Sequence, residues 1–174
     1  MIITSGHPKA GCHALVKACQ LLGQNCSVEH IQFAQRRPMQ RHVYIKRNPR
    51  DILVSWVRFI GQPVTQGTLL CAIDRFEAGP FADSLKAHEG WLDHPETHVV
   101  AFEHLVRDDL ALREIAKYLE VPFLEDAFRA LPGGTWSWTG RLSNWRDHWS
   151  DVVQGAWLKA GLDVTERKWG YHNG

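Results

Sequence analysis

Two basic side chains sit in settings suited to phosphate-like anions. Lys9 lies in Gly6-His7-Pro8-Lys9-Ala10-Gly11, a loop between a short apolar run, Ile2-Ile3, and an amphipathic stretch that begins at Cys12. A strand, a glycine-punctuated loop and a helix gather unpaired backbone N–H groups at the helix start, where the helix dipole also favours negative charge. Lys9 adds an ammonium beside the amides of Ala10, Gly11, Cys12 and His13. Arg47 follows a β-rich run, His42-Val43-Tyr44-Ile45-Lys46, and precedes Asn48-Pro49-Arg50-Asp51. Its planar fork can grip a phosphate through two hydrogen bonds. Ser55 falls on the edge of the apolar stripe in the next helix, so its hydroxyl needs a partner. Glu29-His30 offers two proton acceptors, the histidine being the side chain that titrates near neutrality. Neighbouring strand residues point to opposite faces, so only one of the two reaches a ligand.

The same residues exclude some chemistries. The triphosphate pattern G-x-x-x-x-G-K-[ST] would need Lys-Ser/Thr after Gly11, where this chain has Cys12-His13, so the magnesium-holding hydroxyl is missing. Four cysteines without a C-x-x-C pair make neither a disulfide framework nor a metal site, and no metal is expected. They fit a reducing cytosol, so a cytoplasmic location is expected. A net charge of +1 gives no basic excess for nucleic acid or an anionic membrane. No apolar run approaches the ~18–20 residues of a membrane span, and the chain opens on a strand rather than a secretory signal.

The elements that must hold these groups alternate. Cys12, Leu15, Val16, Cys19 and Leu22 mark a first helix, closed at Gly23-Gln24-Asn25. Residues 27–33 alternate as a second strand, and residues 42–46 form a third. Asn48 is a helix N-cap with Pro49 in the first turn, and Ile52, Trp56, Phe59 and Ile60 make the expected buried stripe. Residues 61–79 have no clear period. A helix is expected over residues 80–92, a fourth strand over 98–102, then a helix carrying Leu112, Ile115, Ala116 and Leu119. A shorter helix follows Pro122, and another covers residues 152–160. This alternation predicts an α/β fold, a parallel central sheet flanked by helices, in a single domain spanning residues 1–174. In such sheets ligands bind beyond the carboxyl ends of the strands, where Arg47 stands.

Pro8-Lys9-Ala10-Gly11 resembles the 5′-phosphosulfate loop of sulfotransferases, commonly P-K-S-G-T. The stretch from Tyr44 to Trp56 closely resembles their 3′-phosphate motif, a strand ending in R-N-P-[KR]-D before a helix that carries a serine. Val99-Val100-Ala101-Phe102-Glu103-His104-Leu105 is similar to the family's fourth strand and Y-E-D-[LM] motif, with His104 in place of the Asp. Gly140 to Trp149 resembles part of the loop that closes over the nucleotide. The four segments follow the family's order.

The resemblance implies a P-loop nucleotide-kinase-like sulfotransferase fold. It also implies transfer of a sulfuryl group from 3′-phosphoadenosine 5′-phosphosulfate (PAPS) to a hydroxyl or amine of a small-molecule acceptor, leaving 3′-phosphoadenosine 5′-phosphate (PAP). It assigns Lys9 and the Ala10, Gly11, Cys12 and His13 amides to the 5′-phosphosulfate, Arg47 and Ser55 to the 3′-phosphate, and Phe102 to the adenine. Trp138, Gly140 and Arg141 are assigned to the closing loop. Relatives use a histidine or a glutamate as base, so His30 is the first choice here and Glu29 the alternative. The chain departs from the pattern where Trp138-Thr139 replaces an R-K pair, which leaves Arg141 or Arg146 to supply the second 3′-phosphate ligand. Ala14 replaces the tryptophan that stacks on adenine, a face open to Trp138 or Trp136. The rival readings are a non-catalytic nucleotide-binding module of the same fold and a P-loop small-molecule kinase. Pairing into a homodimer is left open.

Overall fold

The computed structural model describes residues 2–38, 40–131 and 142–172. Strands β1 (Ile2–Gly6), β2 (Val28–Glu29), β3 (Arg41–Lys46) and β4 (Thr97–Ala101) form one parallel sheet in the order β2-β1-β3-β4. The central strands are covered on both faces, with Ile3, Thr4 and Ser5 of β1 and His42, Val43, Tyr44 and Ile45 of β3 all buried. That continuous burial is the habit of parallel strands. The register pairs Gly6 with Ile45 and Lys46 with Ala101, so β1, β3 and β4 finish close together along one edge. The α/β architecture with a parallel sheet flanked by helices is therefore as the sequence predicts.

Helix α1 (Cys12–Leu21) packs on β1 and β2, and α2 (Pro49–Phe59) leaves the end of β3. The Asn48 side chain caps α2 by accepting the Arg50 N–H at 2.9 Å. Short helices α3 (Gln66–Asp74) and α4 (Phe81–Lys86) follow, and α5 (Phe102–Leu105) turns directly off β4. Next come α6 (Leu110–Leu119), whose buried residues include the expected Leu112, Ile115, Ala116 and Leu119, and α7 (Ala127–Ala130). Helices α8 (Asp151–Lys159) and α9 (Leu162–Lys168) end the described chain. A buried ion pair, Arg50 Nε to Glu166 Oε1 at 3.0 Å, ties the start of α2 to α9. The Arg50 guanidinium also lies 4.5 Å from the Trp145 ring and 4.8 Å from that of Trp149.

Four expectations need correction. The second strand shrinks to Val28–Glu29, because Ile31 leaves the ladder: its N–H donates to the Ser5 hydroxyl and its carbonyl accepts from Trp91 Nε1. Residues 33–35 are then a 3-10 turn. The helix expected over 80–92 stops at Lys86, and residues 89–91 form a separate 3-10 turn with the Phe33 ring lying 2.2 Å from where a Cβ on Gly90 would be. On α2 the expected Ile52 is buried and Trp56 packs half-buried against the core, but Phe59 and Ile60 are exposed, and Leu53, Val54 and Val57 complete the buried stripe. Helix α9 was not expected at all.

Candidate functional site

The loop between β1 and α1 is held from beneath. His7 is fully buried, and its Nδ1 lies 2.8 Å from the Pro8 carbonyl, which can only accept, so Nδ1 carries the proton. Nε2 then accepts from the Ser84 hydroxyl of α4 at 2.9 Å. Burial, with His88 close by, lowers the His7 pKa to about 3, so the ring is neutral. The Ala10 N–H donates to the His7 carbonyl at 2.9 Å and is already committed. Lys9 has φ 69° and Gly11 φ 107°, two left-handed positions that reverse the chain before α1. No side chain caps α1, which leaves its first-turn amides, Cys12 and His13 among them, to face an anion.

Lys9 is half-buried, with its ammonium 4.0 Å from the Phe59 ring centroid. Burial first, and then the neighbouring Arg47 charge, lower its pKa. Arg47 comes off the end of β3 and turns back over the same loop, where Nη1 donates to the Lys9 carbonyl at 3.4 Å. Its guanidinium carbon lies 4.6 Å from the Phe102 ring centroid, and Nε is buried without a partner. Among the described residues it pairs with no carboxylate. Asp51 accepts the backbone N–H groups of Ser143 and Trp145, each at 3.1 Å. Glu103 accepts the Asn48 N–H at 3.0 Å and the Tyr171 hydroxyl at 2.7 Å. Burial lowers the Arg47 pKa, and the fields of Asp51 and Glu103 oppose that.

The two candidate proton acceptors are held differently. Glu29 pairs with Arg37 at 3.5 Å. His30 is exposed but reaches the loop, with Nδ1 3.1 Å from the Gly6 carbonyl and 3.5 Å from Cys12 Sγ. The carbonyl calls for a proton on Nδ1, and in the neutral ring that tautomer puts the lone pair on Nε2. Cys12 is a buried thiol whose pKa is pushed up to about 12 by burial. Ser55 is half-buried on α2 and its hydroxyl makes no hydrogen bond among the described residues. Phe102 is buried, with its ring edge 2.4 Å from where a Cβ on Gly11 would be, so it floors the loop and Arg47 in this structure. Trp138, Gly140 and Arg141 lie outside the described residues, as does Trp136. The Arg146 guanidinium lies over the Trp145 ring.

The structure thus brings Lys9, Arg47, His30, Cys12, His13 and Phe102 to one sheet edge. It adds Glu103, Tyr171 and Lys46, whose roles the sequence reading missed. Lys46 Nζ donates to the Trp169 carbonyl at 2.7 Å, laying Trp169-Gly170-Tyr171 beside the site. An aromatic-Gly-aromatic run after a charged helix was the available signal. Among the described residues no three His, Cys, Asp or Glu side chains converge on a metal position. His94 and His98 are four residues apart, but His98 belongs to β4 and stacks on Tyr118. No described helix is long and apolar enough to cross a membrane.

Solved structures share this fold. The mouse sulfotransferase SULT7A1, complexed with PAP, aligns with a TM-score of 0.74 over 96% of this chain and 86% of its own, at 14% identity. This is the sulfotransferase fold. Retinol dehydratase, in complex with androsterone and inactive cofactor PAP, aligns equally well at 0.74, over 93% of this chain and 79% of its own, at 11% identity. By sequence, no family model and no curated protein matches. On the sulfotransferase fold, then, the loop with Lys9, the end of β3 with Arg47 and the stretch with His30 share one edge of the sheet.

Proposed function

We propose that this chain moves a sulfuryl group from PAPS to a hydroxyl or amine of a small-molecule acceptor. One observation carries the reading most directly: the Arg47 guanidinium has no carboxylate partner among the described residues and sits against the Lys9 loop. Buried cations are normally paired. One held ready beside an uncapped helix start and a lysine suits a ligand with two anionic groups. Arg47 takes the 3′-phosphate, with the Ser55 hydroxyl that the sequence resemblance assigns to it; Lys9 with the Cys12 and His13 amides takes the 5′-phosphosulfate.

In the reaction the acceptor oxygen or nitrogen forms a bond to sulfur as the bond from sulfur to the 5′-phosphate oxygen breaks. That bond's electron pair stays on the phosphate, where Lys9 and the first-turn amides of α1 stabilise the growing charge. The acceptor's proton passes to Nε2 of His30, whose orientation is set by the Gly6 carbonyl. Glu29, paired with Arg37, is the lesser candidate.

The test is transfer of labelled sulfate from PAPS to a panel of phenols, alcohols, sugars and amines, alongside thermal shifts with PAP and with ATP-magnesium. Transfer together with stabilisation by PAP is expected. Stabilisation by PAP without transfer to any acceptor would leave a nucleotide-binding module, and stabilisation by ATP-magnesium alone would favour a kinase.

A further inference from the structure

Two carboxylates stand near Arg47, yet neither pairs with it, and the reason lies in their other bonds. Asp51 is occupied by two backbone N–H groups. Glu103 directly follows Phe102, whose ring lies under the guanidinium, and one of its oxygens accepts from the backbone of Asn48, the residue after Arg47. Its other oxygen is taken by the Tyr171 hydroxyl at 2.7 Å. Tyr171 is delivered there by a fixed strap: Trp169 is fully buried, its carbonyl is held by Lys46, and Gly170 passes with φ 81°. A carboxylate with a free oxygen beside an unpaired arginine forms the stronger, charge-assisted bond with it.

We propose that Tyr171 is a positioning residue for the donor site: by holding the second oxygen of Glu103, it keeps that carboxylate from pairing with Arg47 and so keeps the arginine open to the ligand's phosphate. The proposal rests on the bisphosphate reading above. It gives a neutral hydroxyl the task of shielding a cation from a neighbouring counter-charge. Glu103 is close enough for its field to act on Arg47. Removing the hydroxyl frees an anion that competes with the ligand for the same guanidinium. The loss of affinity then depends on the charge at position 103 and not on packing of the ring.

The experiment is a double-mutant cycle on PAP binding by calorimetry, at one ionic strength and below the unfolding temperature of every variant. The four proteins are the parent, Tyr171→Phe, Glu103→Gln and the double variant. Phenylalanine keeps the ring in its seat, and glutamine keeps an acceptor for the Asn48 N–H. The expected result is that Tyr171→Phe weakens PAP binding at least fivefold when residue 103 is Glu and less than twofold when it is Gln. Equal affinity of parent and Tyr171→Phe would overturn the proposal. So would an equal loss in both backgrounds, because that is the mark of a strap that merely holds structure. A parent protein that binds no PAP would instead overturn the bisphosphate reading, and this inference with it.

Discussion

At Gly11 the backbone has φ 107°, and a Cβ would meet Phe102 Cδ2 at 2.4 Å. Gly11→Ala therefore combines left-handed strain with a ring clash, and urea unfolding should show a loss of about 1–3 kcal/mol. A midpoint equal to the parent's would mean that Phe102 yields freely. His30→Gln should lower turnover by about 10²–10⁴-fold with PAP affinity unchanged. A fall in affinity as large as the fall in rate would argue that the ring binds rather than accepts a proton. Arg47→Ala should weaken PAP binding by about 1.5–3 kcal/mol, and Arg47→Lys should recover little because an ammonium lacks the planar fork. Lys9 and Arg47 were legible because each sits in a local pattern of glycine, proline and charge. Tyr171 was not, because its role comes from Glu103, 68 residues away in sequence.

Helix α2 joins the two halves of the site to the core. Its start was readable from Asn48-Pro49 and its cap forms as expected, so Asn48→Ala should cost about 1 kcal/mol in thermal or urea unfolding. Its buried face was misread in part because Phe59 and Ile60 look like core by residue type. Phe59 instead stands in solvent over the Lys9 ammonium. The real anchor is a charge: Glu166→Gln leaves the Arg50 guanidinium buried without its counter-ion and should destabilise by about 3–5 kcal/mol. Loss of less than 1 kcal/mol would mean that the remaining contacts of Arg50, the tryptophan rings among them, satisfy that cation. Helix α9 escaped notice for the same reason, since two of its three buried residues, Thr165 and Glu166, are polar and hide the apolar period. The short β2 escaped because its ladder is replaced by side-chain hydrogen bonds, which no period records.

Across the whole molecule, acid should act through two interior histidines. Burial lowers the pKa of His7 to about 3 and that of His88 to about 4, from 6.5. Below pH 6.5 the unfolded chain takes up protons that the folded protein does not, so stability falls as pH falls, until the folded values are reached. At pH 5 the loss should be about 2 kcal/mol for each histidine relative to neutral pH. Urea unfolding at pH 7 and pH 5 measures it, and His88→Gln should shallow the slope; a pH-independent midpoint would show that the rings are charged inside. The candidate site also draws on distant parts of the chain, since Lys46 is fixed by Trp169, 123 residues later, and Glu103 by Tyr171. During synthesis, a growing polypeptide can lay down β1, β3 and α2 early, yet the clasp around Arg47 forms only after residue 171 has left the ribosome. On the proposed function, products terminated before Tyr171 lack that clasp and should fail to retain PAP.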